Sequence, residues 1–441
     1  MEYKVMVVSL GCNKNLVDSE TMMGYLVHDG FVLTDRPDEA EIIIVNTCGF
    51  IESAKKEAIA TIFEMAQYKQ SGRCKALLAT GCLAKRYPDA LMNDIPELDG
   101  IMGVYDYDKI IHTLHQALHG QRPCELSGQA AYLDHTQGRV LATPSYMAYL
   151  KIAEGCVNRC HYCAIPSIRG EYVSRDMESL IAEAEALHNG GVKELILTAQ
   201  DTTRYGEDKG ENALVELLER LEGIGFTWIR ILYAYPSRVS DKLLDFMDRS
   251  RVMCHYLDIP IQHTQSNMLR AMNRHYNQET VKRIYDKVKA YRNDWALRTT
   301  VIVGYPGETA RDFEHMVKFL TERPFDQLGA FMFSPEEGTV AEGLAHQVRS
   351  STKQVRYDSI MLRQGELSHK ANQHFVGREL LILAEGFDEE SGMYYGRSEF
   401  QAPDVDGRVF FSSQGSVKPG DFKTVKINEA FAYDLFGEAS D

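Results

Sequence analysis

No apolar run in this sequence approaches the roughly 20 residues that a membrane-spanning helix needs, which excludes an integral helical membrane protein. The first residues, MEYKVMVVSLG, lack a basic leader and a small-residue cleavage site, so they read as a β-strand and not as a secretion signal. These absences make the cytoplasm the expected location. Basic charge is also short: 48 Lys and Arg stand against 63 Asp and Glu, a formal net charge of −15. A general nucleic-acid binder carries a basic patch or stripe, so a basic protein partner fits better. There is no internal repeat and no low-complexity tract. At 441 residues, 44% apolar and 25% charged, the chain is soluble globular protein of two or three domains.

Cysteine is the residue type present with a pattern. Nine cysteines in an intracellular chain favour metal binding or catalysis over disulfides. Cys74, Cys124 and Cys254 have no partner at ligand spacing and read as buried or incidental thiols. Cys156, Cys160 and Cys163 lie in LKIAEGCVNRCHYCAIPSIRG. Three thiolates so close can hold three corners of a cubane iron–sulfur cluster, leaving one iron open to a small molecule. The spacing resembles that of radical S-adenosylmethionine (SAM) enzymes, in which SAM fills the open corner. Zinc, with His161 or a distant residue as fourth ligand, is the competing reading. The three-cysteine spacing, Tyr162 and the strand-like lead-in from Tyr146 to Ile152 favour iron and sulfur.

The chain divides by pattern. Residues 1–120 alternate apolar runs (Val5–Leu10, Ile42–Val45, Ala76–Ala79) with helical segments at about 17–28, 52–69 and 83–92. This alternation predicts a parallel α/β domain. Residues 121–143 read as a linker with room for short strands. Residues 144–373 resume the alternation in six β/α units and predict a partial barrel, a relative of the eightfold one, with chemistry at the C-terminal strand ends. Its strands are expected near 149–153, 194–198, 228–232, 255–259, 298–303 and 328–332, with a closing helix at 350–373. Residues 374–441 hold short strand-like pieces between Gly, Asp and Pro turns, a small all-β barrel.

A second set of cysteines, Cys12, Cys48 and Cys82, is dispersed, yet each follows an apolar strand and adjoins glycine: VVSLGC, IIIVNTCG, LLATGC. Ligands gather beyond the carboxyl ends of strands in an open α/β sheet, and neighbouring strands lie about 4.8 Å apart. Three such strands would bring three thiols to one rim, against the alternative of ordinary buried cysteines. Helices following Cys48 and Cys82 are expected to favour thiolate through their N-terminal dipoles.

These two triads, followed by a small β-barrel, resemble the methylthiotransferases of the radical SAM class across essentially the whole chain. SLGCNKNLVDSE and NTCGFIESAKKEAI look like that family's cluster-binding domain. GCVNRCHYCAIPSIRG looks like its radical SAM loop, and the final segment resembles the TRAM domain. The resemblance implies two 4Fe-4S clusters, on Cys12/Cys48/Cys82 and on Cys156/Cys160/Cys163. It also implies SAM, and an electron donor such as flavodoxin or ferredoxin. SAM methylates sulfur carried on the first cluster, and SAM cleaved at the second yields the radical that opens a C–H bond. One branch of the family modifies adenosine in transfer RNA, the other an aspartate β-carbon of small-subunit ribosomal protein twelve. SLGCNKNLVDSE, AIPSIRG and GRSEFQAPDVDG are similar to the second, although Asn13 stands where that branch often has proline. Residues 373–441 carry six basic and thirteen acidic side chains; a barrel gripping RNA should be basic, whereas an acidic one suits a cationic protein. A zinc-stabilised adaptor without catalysis is the alternative from another class. Under the resemblance Gln200 and Asp201, ending LILTAQD, contact SAM or else cap a helix. Gly304, Pro306 and Gly307 let SAM approach the backbone or form a plain turn, and Tyr162 lies by the adenine or packs on the loop. Arg169 and Arg175 engage an acidic group or, the commoner fate, stay solvated, and His263 is a satisfied structural histidine or a catalytic one.

Overall fold

The computed structural model describes residues 3–127 and 138–440; part of the expected linker, 128–137, lies outside the described residues. The chain opens with six strands, β1 (Lys4–Ser9), β2 (Val32–Leu33), β3 (Ile42–Thr47), β4 (Ala76–Gly81), β5 (Gly100–Met102) and β6 (Cys124–Glu125). They pair in parallel in the order β2-β1-β3-β4-β5-β6. Both faces of β3 and β4 are buried, which is why their sequences are near-continuously apolar rather than alternating. Helices α1 (Asn13–His28), α2 (Glu52–Ala66), α3 (Tyr68–Ser71), α4 (Cys82–Arg86), α5 (Pro88–Asp94) and α6 (Ile110–Leu118) make the connections. The strand order reverses between β1 and β3, the position where such sheets open a crevice at their carboxyl edge. Helix α1 starts four residues before the expected position, directly after Cys12 in extended conformation.

The central region carries β7 (Met147–Lys151), β8 (Ala153–Glu154), β9 (Val173–Ser174), β10 (Glu194–Thr198), β11 (Trp228–Ile231), β12 (Tyr256–Asp258), β13 (Ala296–Val303) and β14 (Gln327–Met332). Strands β7, β10 and β11 form one parallel sheet and β12, β13 and β14 another. The pairing of Ile229 with Met253 joins them into one arc. Helices α7 (Ile165–Arg169), α8 (Met177–Asn189), α9 (Leu214–Glu222), α10 (Asp241–Arg249), α11 (Ser266–Ala271), α12 (Gln278–Lys289), α13 (Ala310–Glu322) and α14 (Ser350–Asn372) complete the six units. Several start on a side-chain cap: Asp176, Ser240 and Asn277 accept the amide three residues on, and Thr309 with Asp312 forms a capping box. Outward side chains such as Ala148, Leu150, Leu195 and Leu197 pack under the helices. Inward ones, Met147, Tyr149, Ile196 and Trp228, pack instead with residues of the C-terminal barrel.

That barrel closes as β15-β16-β17-β19-β18, from β15 (Glu379–Asp388), β16 (Met393–Arg397), β17 (Val409–Ser412), β18 (Phe422–Ala430) and β19 (Leu435–Ala439). Its segment RSEFQAPDVD fills the amino-terminal mouth of the partial barrel. Arg397 pairs with Glu194 at 2.7 Å, and Arg230 pairs with the same carboxylate at 2.8 Å. Tyr256 donates to Asp406 at 2.7 Å, and Arg298 reaches Asp406 at 3.3 Å. Part of the acidity of residues 373–441 is therefore internal: Glu385 holds Arg397, Glu399 holds His255 and Asp406 holds Arg298. Glu194 and both its arginines are buried. Glu194→Leu is expected to cost about 3–5 kcal/mol by leaving two guanidiniums facing each other in the interior, read as a lower melting temperature and earlier proteolytic release of the barrel.

Candidate metal centres and the cleft between them

Each cysteine of the first set ends one of three adjacent strands, β1, β3 or β4. Glycines let the three loops meet. Gly11 has φ +86°, and a Cβ there would stand 2.7 Å from the Cys48 Cβ. Gly81, at φ +91°, would drive a Cβ into the Asn46 side chain. Asn15 donates to the carbonyls of Leu10 at 2.8 Å and Thr47 at 3.2 Å. Asn46 donates to Asn15 O at 2.8 Å, so the loops before Cys12 and Cys48 are tied to the first turn of α1. The three thiols lie within electrostatic reach of one another. Cys82 is buried, Cys48 half-buried and Cys12 exposed.

The second triad sits on the loop after β8. Gly155, at φ +77°, has no room for a Cβ against the Glu171 carbonyl, and Cys156 N donates to Gly170 O at 3.1 Å. Arg159 bends the loop in the left-handed region at φ 47°, its carbonyl held by Asn273 Nδ2 at 2.8 Å. Cys160 and Cys156 both influence Cys163, so this set also converges. The amide two residues on reaches the sulfurs of Cys48, Cys156 and Cys163.

Burial pushes the Cys48 and Cys156 thiols each up to about 11 and raises Cys82 and Cys163 as well. Metal ligation takes the deprotonated sulfur, so loading these sites would release protons.

Arg169 joins the two sets. It stands at the end of α7, the helix after Cys163, and of its two expected fates it takes the acidic partner over the solvated one: it is 1% exposed. Its Nε lies 3.4 Å from Cys82 Sγ. Nη1 meets Glu154 Oε2 at 2.9 Å, and Nη2 meets Asn15 Oδ1 at 2.9 Å and Asp18 Oδ2 at 3.0 Å. Lys151 pairs with Asp18 and, at 2.7 Å, with Glu154. Tyr107 donates to Asp18 at 3.0 Å, and Tyr105 to the Arg169 carbonyl. Burial would raise the Glu154 carboxyl, yet Arg169 and Lys151 hold it below the usual range. The network draws on both domains and puts the first triad directly beside the loop of the second.

Arg274, which sequence reading passed over, is the counterpart at the second triad. Its Nη1 lies 3.4 Å from Cys160 Sγ, and its guanidinium stacks 4.3 Å from the Tyr235 ring centroid. Nothing in the periodicity of MNRHYN separates it from a surface arginine. Arg175 is buried too, bonding the Lys151 carbonyl at 3.0 Å and Glu183 at 2.6 Å. His263 is buried, accepting from Gln265 N at 2.9 Å, with Glu308 Oε1 3.5 Å from Nε2 and no hydrogen bond to that nitrogen.

The remaining candidates divide. Gln200 donates to Glu154 at 2.7 Å, while its Oε1 is buried without a partner, an open acceptor for an ammonium group at the end of β10. Asp201 is committed to the loop itself, accepting from Asn158 at 2.9 Å and Thr203 at 2.7 Å. Tyr162 packs against the cluster of Met268, Met272, Ile302, Tyr305 and Phe333. Gly304 is needed for packing, since a Cβ would enter the Lys353 side chain; Gly307 is exposed with open space around it, and Pro306 between them is buried. His161 Nδ1 donates to the Ala271 carbonyl at 2.9 Å, which removes that nitrogen from a zinc site. Among the described residues no three His, Cys, Asp or Glu side chains gather as for a single ion. With the glycine-lined loops and the amides aimed at sulfur, the donor sets fit cubane clusters.

Residues 4–103 match the family described as Uncharacterized protein family UPF0004, residues 150–320 the radical SAM superfamily and residues 376–439 the TRAM domain. The ribosomal protein uS12 methylthiotransferase RimO of Pelotomaculum thermopropionicum is 49% identical, covering 99% of this chain and 99% of that protein. The proteins of the same name from Desulforamulus reducens (47%, 98% of each) and Clostridioides difficile (43%, 99% of this chain and 98% of that one) are similar over the same span. Among solved structures, the radical SAM methyltransferase TsrM from Kitasatospora setae superposes with a TM-score of 0.54 at 12% identity, over 75% of each chain. The cobalamin-dependent SAM radical enzyme OxsB gives 0.51 at 12% identity, over 89% of this chain and 64% of that one. These two likenesses are of fold alone.

Proposed function

The chain belongs to the family of ribosomal protein uS12 methylthiotransferases, and from that membership we propose that its two thiol triads seat the two clusters used in the reaction. It is a radical SAM methylthiotransferase with two 4Fe-4S clusters and SAM as cofactors. In this assignment Cys156, Cys160 and Cys163 hold the cluster that binds SAM, and Cys12, Cys48 and Cys82 the one that carries sulfur. The acceptor is the β-carbon of an aspartate of uS12, and the electron comes from a flavodoxin- or ferredoxin-like donor. When bound, the groups supply a radical able to open an unactivated C–H bond and the sulfur that replaces hydrogen, chemistry that no side-chain acid or base offers at neutral pH.

The protein's part is position and dryness. Arg169 is the single observation that carries the reading: one buried guanidinium touches Cys82 while it belongs to the helix after Cys163. Asp18, Glu154 and Lys151 fix it there, which supports buried ion pairs as the tie between the two domains that carry the triads. Arg274 and Arg169 put positive charge beside one sulfur of each triad, which favours anionic ligands. Gln200 Oε1 supports a role toward the amino group of SAM.

Protein purified without air is expected to be brown, with about eight irons and eight sulfides from two cubanes. A colourless protein with stoichiometric zinc would establish the adaptor reading instead. Mass spectrometry of uS12 from cells with and without the gene should show one methylthio group on one aspartate. Loss of a transfer-RNA modification in place of that shift would move the substrate to RNA.

A further inference from the structure

We propose that Lys14 is the substrate-binding cation that receives the side-chain carboxylate of the acceptor aspartate. The inference rests on the reading above, that the acceptor is an aspartate. Lys14 is 7% exposed, and its ammonium lies 3.3 Å from the ring centroid of Tyr233. Among the described residues it has no carboxylate partner and no hydrogen bond. Its buried counterparts are all satisfied: Lys151 has Asp18 and Glu154, and Lys353 has the Phe333 carbonyl.

Its position makes the isolation costlier. Lys14 lies in the first turn of the 16-residue α1, whose first turn has no acidic residue. The positive end of a helix dipole repels a cation, and the ammonium, which keeps contact with solvent, has only the Tyr233 ring against it. The helix terminus and the ammonium together make a place for an anion. The nearby carboxylates are already committed. Asp18 and Glu154 serve Arg169 and Lys151, and Asp201 serves Asn158, Thr203 and Arg238.

The place is also where a substrate carboxylate belongs. Lys14 is two residues after Cys12. Its neighbour Asn13 accepts from Thr198, the last residue of β10, at 3.1 Å. Tyr233 follows β11 at the same carboxyl edge, in the left-handed region at φ 62°. It is pinned by Asp258, which accepts its amide at 3.0 Å. A non-glycine residue held so is strained, and such strain clusters at ligand sites. The ammonium therefore lies between the first triad and the strand ends below it. An aspartate carboxylate bound there has its β-carbon one bond away, on the side of Cys12.

The test uses reconstituted holoenzyme and a peptide spanning the uS12 aspartate identified by mass spectrometry, in two forms, with aspartate or with asparagine at that position. Peptide affinity is read by fluorescence anisotropy, and KM by product mass. Wild type should prefer the aspartate peptide by roughly 10-fold or more, the range for a charged hydrogen bond. In Lys14→Met that preference should vanish and KM rise by a similar factor at wild-type iron content. Lys14→Arg should restore part of the preference. Retained preference in Lys14→Met overturns the assignment, as does loss of iron, which would make Lys14 a counter-charge to the first centre. A wild-type enzyme that binds and modifies neither peptide overturns the aspartate reading itself, and Lys14 with it.

Discussion

Cys156→Ala protein should yield no 5′-deoxyadenosine from SAM under reducing conditions, and about four irons where wild type has about eight. Cys156 sits at the start of the loop, half-buried, with its amide bonded to Gly170 and its sulfur receiving the Asn158 amide. No other cysteine is near enough in the loop to replace it. Cys48→Ala should separate the two centres. Its iron content should fall by the same amount, yet SAM should still be cleaved, because the loop from Cys156 to Cys163 folds on β8 and α11 without it. No methylthio group should reach uS12. Anaerobic chromatography of deoxyadenosine and mass spectrometry of uS12 read both outcomes. Full product from either variant would contradict the assigned roles.

Arg169→Met should be the most damaging change outside the cysteines. It leaves buried Asp18 and half-buried Glu154 with Lys151 as their remaining cation, and removes a side chain of the central domain that contacts Cys82. Breaking a buried pair from one side costs about 3–5 kcal/mol, measurable as a lower denaturation midpoint. Methylthio transfer should fall further than SAM cleavage, because the variant loosens the spacing between centres and not either centre alone. Arg169→Lys should recover little, since an ammonium cannot span the fork that reaches Asn15, Asp18 and Glu154 together. Adding Asp18→Asn to Arg169→Met should return part of the stability by removing an unpaired charge. A double variant as unstable as the single one would show that Asp18 is not what Arg169 neutralises.

Much of this could be read from sequence, and the parts that could not share one physical cause. Strands β3, β4 and β10 were legible because strands buried on both faces are apolar throughout. Cys12, Cys48 and Cys82 were legible because each follows such a run. The start of α1 was not: Lys14, Asn15, Asp18, Ser19 and Glu20 are polar and buried, since this helix lies between two domains and its charges meet partners from the second. Arg169 and Arg175 could not be settled between solvent and an acidic partner, and Arg274 was passed over, for the same reason; burial of a charge depends on a partner far away in sequence. Strand β19 carries Gly437 at its middle. A Cβ there would run into the Lys426 carbonyl, so the glycine marks close approach of two strands.

The stopper formed by RSEFQAPDVD has a consequence for the central domain. One end of the partial barrel is corked by buried ion pairs to the C-terminal domain. The other is roofed by the N-terminal domain, through Asn13 on Thr198 and through Lys55 and Arg86 on Glu336. Among the described residues β7 and β14 are sheet edges that do not pair with each other, and helix α1 packs against β7. Both ends of the arc are thus closed by neighbours from other domains, so the central domain is dry at its two mouths only while all three domains stay docked.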